Sequence, residues 1–174
     1  MSATTTAPDT TDPTIRPRLI ATTTITRTTG TVAHPPRIAT IRVGLDDGRA
    51  AALRPSSVQD LEAITDLYEA LGPESRRLRF LQAMPEVPIR TMRSLVEIDQ
   101  RDHLAWVAFD GTRCVGEARV VRLRRDRRAG EVAFAVHPDW RRIGLARRLV
   151  RTVGSAARSL GVHTMTASVS SAAA

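Results

Sequence analysis

The chain has no lysine and no asparagine, a single cysteine (Cys114), and aromatic residues at only 3% of its 174 positions. Each shortage excludes something. One cysteine cannot build an internal disulfide framework, and no Cys/His spacing resembles a zinc site, so a reducing, cytoplasmic compartment is expected. No apolar run approaches the ~18 residues that a membrane-crossing helix needs, and the N-terminus lacks the basic and apolar blocks of a secretory signal. The Thr/Arg-rich stretch without acids between Asp12 and Asp46 faintly resembles an organelle transit peptide, and a solvated tail is the preferred reading of it. The formal charge is +8 and the isoelectric point near 11.4. That balance suggests a polyanion, but every basic residue is arginine, a pattern of GC-rich coding, and the scarcity of aromatics leaves little for base stacking. Nucleic-acid binding is therefore a minor reading.

What is present divides the chain in two. The first forty positions hold fourteen threonines and several prolines. Such a segment has too few large apolar groups to offset the entropy of ordering it, so residues 1–37 read as a disordered Thr/Pro-rich tail. Within it, Leu19 to Thr29 has β-branched residues throughout and could add a strand to an open sheet edge. From Ile38 the pattern changes to two short strands around Asp47-Gly48. Ser57-x-x-Asp60 then resembles a capping box, and Val58, Leu61, Ile64, Leu67 and Leu71 follow at helical spacing until Gly72-Pro73. Two shorter helices are expected over 74–84 and 89–98, with Leu78, Phe80 and Leu81 covering the sheet and the intervening arginines facing water. HLAWVAF, Asp110-Gly111 and RCVGEARVVRL predict a hairpin, and EVAFAV a third antiparallel strand. A helix from about Arg141 to Leu160 presents Leu145, Leu149, Val153, Ala156 and Leu160 on one stripe, and HTMTASV is the last strand. The class is mixed α/β (α+β), one domain over 38–174, with a parallel pair expected across the last helix.

Chemistry concentrates at the start of that helix. Its free N–H groups and aligned dipoles favour an anion, Gly144 and Ala146 let a ligand approach the backbone, and Arg141, Arg142 and Arg147 add counter-charge. Taken alone, a single glycine in a basic helix start favours the plainer reading, a relaxed turn with solvated arginines.

Val136-x-Pro138-x-x-Arg141-x-x-Gly144-x-Ala146, between a strand and an amphipathic helix, closely resembles the acetyl-CoA signature Gln/Arg-x-x-Gly-x-Gly/Ala of the GCN5-related N-acetyltransferase (GNAT) superfamily. LRPSSVQDLEAI, LGPESRRLRFL and DHLAWVAFDGTRCVGEARVVR are similar to bacterial protein lysine acetyltransferase domains that modify acyl-CoA synthetases. The resemblance covers roughly residues 47–169. It implies a mostly antiparallel sheet flanked by helices, with a parallel strand pair at the acetyl-CoA site, and direct transfer of acetyl from the co-substrate acetyl-CoA to a primary amine, such as a protein lysine. Phe134, Ala135 and Val136 would hold the pantetheine and thioester by their backbone. Arg141, Arg142, Ile143, Gly144, Leu145, Ala146 and Arg147 would hold the pyrophosphate, with Ile143 standing where relatives often carry a basic residue.

The resemblance also makes Glu131 the candidate base; an edge-of-strand glutamate paired with Arg128 or Arg119 is the competing reading. Glu117 is a weaker second candidate. His137 is expected at the surface, His103 to be structural or substrate-lining, and Cys114 to be a packed small hydrophobe. Relatives continue past HTMTASV with a further helix, two strands and usually a tyrosine acid, which Tyr68 on the first helix cannot replace. The expectation is thus a domain lacking those elements, with an uncovered final edge that invites homodimerisation. An impaired acyl-CoA-binding remnant is the alternative to an active enzyme.

Overall fold

A computed structural model describes residues 20–23, 40–80, 82 and 84–168. The expectations for the rest of the tail, for Leu81 and for the chain beyond Ser168 lie outside the described residues. The elements in chain order are β1 (Ile20–Thr23), β2 (Ile41–Gly44), β3 (Ala50–Pro55), α1 (Leu61–Ala70), α2 (Pro73–Phe80), α3 (Ile89–Val96), β4 (His103–Asp110), β5 (Arg113–Arg122), β6 (Ala129–Val136), α4 (Leu145–Ser159) and β7 (Thr164–Ser168). The strands form one seven-stranded sheet in the order β1-β7-β6-β5-β4-β3-β2. All neighbours are antiparallel except β6 and β7, which are parallel as the intervening helix requires.

The two faces of the sheet carry separate cores because successive strand residues point to opposite sides. On one face, the apolar stripe of α4 (Leu145, Leu149, Val153, Ala157) packs on Leu53, Leu104, Trp106, Ala118 and Val120. Close packing there depends on Gly116: a Cβ at that position would lie 2.9 Å from Leu149 Cδ1 and 3.2 Å from the Ala135 carbonyl oxygen. On the other face, Ile64, Leu67, Tyr68 and Leu71 of α1 and Met92, Leu95 and Val96 of α3 cover Val107 and Ala135. Asp60 ends the 3-10 turn that opens α1; its carboxylate accepts the Ser57 N–H at 2.8 Å and both ends of the Arg54 fork at 2.6 and 2.8 Å. Val58, expected on the buried stripe, is instead 61% exposed, because that first turn is 3-10 and rotates it outward.

Three expectations are corrected. The arginines of the second helix do not all face water. Arg76 donates to the Tyr68, Glu69, Leu71 and Met84 carbonyls, capping α1, and the Arg79 side chain turns inward to Glu117 and is only 10% exposed. The last helix starts at Leu145 rather than Arg141, since Arg142 (φ 59°) and Gly144 (φ 83°) are left-handed and cannot belong to a right-handed helix. The far edge of β7 is also covered, not open. Ile20–Thr23, inside the segment singled out as a spare strand, pairs antiparallel with Met165–Ser168.

If that pairing contributes to the fold, deleting residues 1–36 should lower the melting temperature, by about 4 °C for each kcal/mol lost. A thermal melt unchanged by the deletion would show that β1 adds nothing.

Candidate functional site

The register of β6 creates the site. Its pairing with β7 runs from Ala129↔Thr164 to Glu131↔Thr166 and stops, although β6 continues to Val136 and β7 to Ser168. Past Glu131 the strands part, and the β6 backbone on that side is left with unused hydrogen-bonding groups. A cleft of about 970 Å³ opens there, reaching from Ala167 of β7 across Val132–Val136 to α2 and to the turn before α4.

That turn is built by local constraints. His137 accepts the Asp139 N–H on Nδ1 at 3.2 Å, and Pro138 opens a short 3-10 turn ending at Trp140. The left-handed residues Arg142 and Gly144 then reverse the chain into α4, whose first helical bond runs from the Arg148 N–H to the Gly144 carbonyl at 3.1 Å. The N–H groups of Leu145, Ala146 and Arg147 precede it and have no helical acceptor, so the helix presents its positive end to the cleft. Arg141 ties the turn to α2 through Ser75 Oγ at 3.0 Å. From outside, the β2–β3 turn braces it: the Asp46 N–H donates to the Ile143 carbonyl at 3.1 Å, the Asp46 carboxylate pairs with Arg147 at 3.1 Å, and Arg49 stacks on Trp140 at 4.2 Å. A Cβ on Gly144 would meet Asp46 Oδ2 at 2.8 Å.

Of the residues assigned to the cofactor from sequence, Phe134, Ala135, Val136, Arg141, Arg142, Gly144, Leu145, Ala146 and Arg147 all line the cleft. Ile143 does not. Its side chain packs on the α4 core, so only its backbone takes part in the turn. Glu131 is exposed and lines the same cleft from the sheet. His137, expected at the surface, is buried beneath the turn, its Nε2 2.6 Å from Arg113; burial and the Arg113 charge push its pKa down, which suits a capping acceptor. Cys114 is buried, its thiol pushed up to about 12 by burial, and is no nucleophile.

Glu117, the second base candidate, occupies a different kind of place. It is fully buried, accepts from the Tyr68 hydroxyl and from Arg119, and pairs with Arg79 at 3.1 Å. Arg119 also reaches the Leu95 carbonyl at 3.3 Å and His103 Nε2 at 3.2 Å. Burial alone would raise the Glu117 pKa, but the Arg119 and Arg79 charges override it and hold the group at about 2. A carboxylate held so strongly in its ionised form is a poor proton acceptor, so this cluster anchors α1, α2 and α3 to the sheet. His103 is likewise pushed down by burial and by Arg119. Sequence reading missed Arg79, whose only signal was its place between Leu78 and Phe80, both of which also line the cleft. Among the described residues no group of His, Cys, Asp and Glu could hold a metal ion, and no helix is long and apolar enough to cross a membrane.

Comparison with known proteins matches this architecture. The profile of the acetyltransferase (GNAT) family matches residues 63–174. An acetyltransferase of Pseudomonas aeruginosa is 33% identical over 125 residues, 70% of this chain and 67% of its own length. The GNAT domain of S. lividans PAT superposes with a TM-score of 0.71 at 26% identity, over 75% of this chain and 78% of that one. A phosphinothricin acetyltransferase of Sinorhizobium meliloti, solved in complex with AcCoA, shares the fold at 22% identity and a TM-score of 0.57, over 68% of this chain and 65% of that one.

Two outcomes are expected. Gly144→Ala puts a Cβ on a left-handed residue and against Asp46, a strain of about 1–2 kcal/mol, and should lower the melting temperature by about 2–8 °C. Glu117→Gln leaves two buried guanidiniums with no carboxylate and should cost about 3–5 kcal/mol at neutral pH. The depressed Glu117 pKa contributes stability that is present above the unfolded value of about 4.3 and is lost as pH falls towards about 2. Thermal melts across that window should fall less steeply in the Gln variant.

Proposed function

Because the chain belongs to the acetyltransferase (GNAT) family, we propose that it moves an acetyl group from acetyl-CoA to a primary amine. The observation that carries this reading is the cleft itself, where parted parallel strands and a helix N-terminus with three arginines meet in one continuous surface. The residues present fit the co-substrate. The β7-facing side of the β6 backbone past Glu131, which has no strand partner there, suits an amide-bearing arm, and the Leu145–Arg147 N–H groups with Arg141, Arg142 and Arg147 suit a diphosphate. The relative solved with AcCoA shows that this fold accommodates such a ligand.

Acetyl-CoA supplies the activated acyl group as a thioester. The amine nitrogen forms the new C–N bond as the C–S bond breaks, and the departing sulfur takes up a proton. Glu131, on the sheet at the point where β6 and β7 part, is the base that removes the proton from the incoming ammonium, directly or through one water. Glu117 is buried among Arg79, Arg119 and Tyr68 and does not line the cleft; of the two carboxylates on β5 and β6, Glu131 does. Tyr68 is buried with its hydroxyl on Glu117 and serves no acid role. A lysine of a protein such as an acyl-CoA synthetase is the first acceptor to try.

Thiol release from acetyl-CoA in the presence of that acceptor tests the reading. Glu131→Gln should lower the rate by about 10²–10⁴-fold while leaving acetyl-CoA affinity in place. Wild-type turnover no higher than that of the variant would leave an acyl-CoA-binding protein without this chemistry.

A further inference from the structure

The buried cluster beneath the cleft carries more positive charge than it needs. Arg79 and Arg119 face one carboxylate, Glu117, and a neutral tyrosine. Arg119 is saturated: Nε and Nη2 go to Glu117, and Nη1 to the Leu95 carbonyl and His103. Arg79 is not. It gives Nη2 to Glu117, its guanidinium lies 5.2 Å from the Phe80 ring and 5.8 Å from that of Tyr68, and its Nε, closed off from the cleft by its surroundings, has no hydrogen-bond partner among the described residues. Its side chain is only 10% exposed, and that part lines the cleft. The charge that Glu117, shared with Arg119, leaves uncompensated therefore faces the cleft wall, where an anion can balance it.

Glu131 and Glu117 lie on the same sheet face. Glu131 is opposite Val121, and Glu117 opposite Ala135, so the two positions are offset by four residues, or ~13 Å of strand. Arg79 sits at the Glu117 end of that span. A span of that order calls for an acceptor whose amine and carboxylate are several bonds apart. From these positions, and resting on the acetyltransferase reading above, we propose that the acceptor is a small molecule bearing both a primary amine and a carboxylate several bonds away, the amine directed towards Glu131 and the carboxylate bound by Arg79. A guanidinium suits that task because it stays charged and offers a paired fork to a carboxylate. Such an acceptor is dipolar, matching a wall that is negative at Glu131 and positive at Arg79.

The test uses the full chain with acetyl-CoA and two probes, Nα-acetyl-lysine and its carboxamide. They share the amine and its spacing; the carboxamide lacks the charge and reproduces a lysine within a protein. The carboxylate probe should show a KM about tenfold lower or better, consistent with one charge-assisted hydrogen-bonded contact. In Arg79→Gln the two KM values should converge, while acetyl-CoA affinity by calorimetry stays at the wild-type level. Arg79→Lys should keep part of the preference. Equal KM values for the two probes in the wild type, or turnover of neither while acetyl-CoA binds, overturn the proposal and return the acceptor to protein lysines or other amines. A preference that survives Arg79→Gln overturns the assignment to Arg79. Failure to bind acetyl-CoA instead removes the acetyltransferase reading beneath it.

Discussion

The structure depends on a strand pairing that stops early. A parallel ladder between β6 and β7 lasts three residues, then gives way to a cleft while both strands continue. Two strands part only if each is held from its other side. For β6 that hold is β5, paired continuously from Gly116↔Val136 to Arg122↔Gly130. For β7 it is β1, whose register runs out to Ser168, beyond the last β6 pair at Thr166. The β1 pairing is therefore more than an edge cover. It gives β7 backbone partners where β6 has let go, so the cleft does not leave β7 unpaired on both sides.

A second constraint acts on the wall opposite β7. Helix α2 is one of the shorter helices, with no fully buried residue, and apolar packing alone fixes it weakly. Two arginines do the rest. Arg76 binds the carbonyls at the end of α1, and Arg79 reaches Glu117 in the sheet, so α2 is clamped at both its base and its inner face. Arg141 adds a tie from the turn before α4 to Ser75. The turn and α2 thus form two linked walls of the cleft.

Legibility in the sequence followed sequence separation. The strand, turn and helix from Glu131 to Gly161 were readable because their geometry is set by neighbours: proline at 138, a glycine at 144, and an apolar stripe through Leu145, Leu149 and Val153, although the buried position after it is Ala157 rather than the expected Ala156. Even there, the helix start was placed four residues early, since nothing marks Arg142 as left-handed. The Arg79–Glu117 pair spans 38 residues and was not readable at all. In an arginine-rich chain each arginine is by default a solvated one, and only the folded sheet shows that Glu117 is buried and requires cations. His137 went the same way: its spacing suggested a surface turn, and the Arg113 side chain from a different strand closed over it. The pairing of β1 was anticipated as a possibility from β-branched composition, but its register comes from the edge it meets.

The composition returns with a meaning at the site. A protein that transfers acetyl groups to amines exposes its own amines to the same chemistry, and lysines close to the cleft would compete as acceptors. This chain has none in 174 residues. Every side-chain cation along the cleft, at Arg79, Arg119, Arg141, Arg142 and Arg147, is a guanidinium. Such groups stay protonated near neutral pH, so they carry positive charge along the cleft without becoming nucleophiles. The consequence for chemistry follows from composition alone: no lysine among these 174 residues offers a competing amine at the cleft.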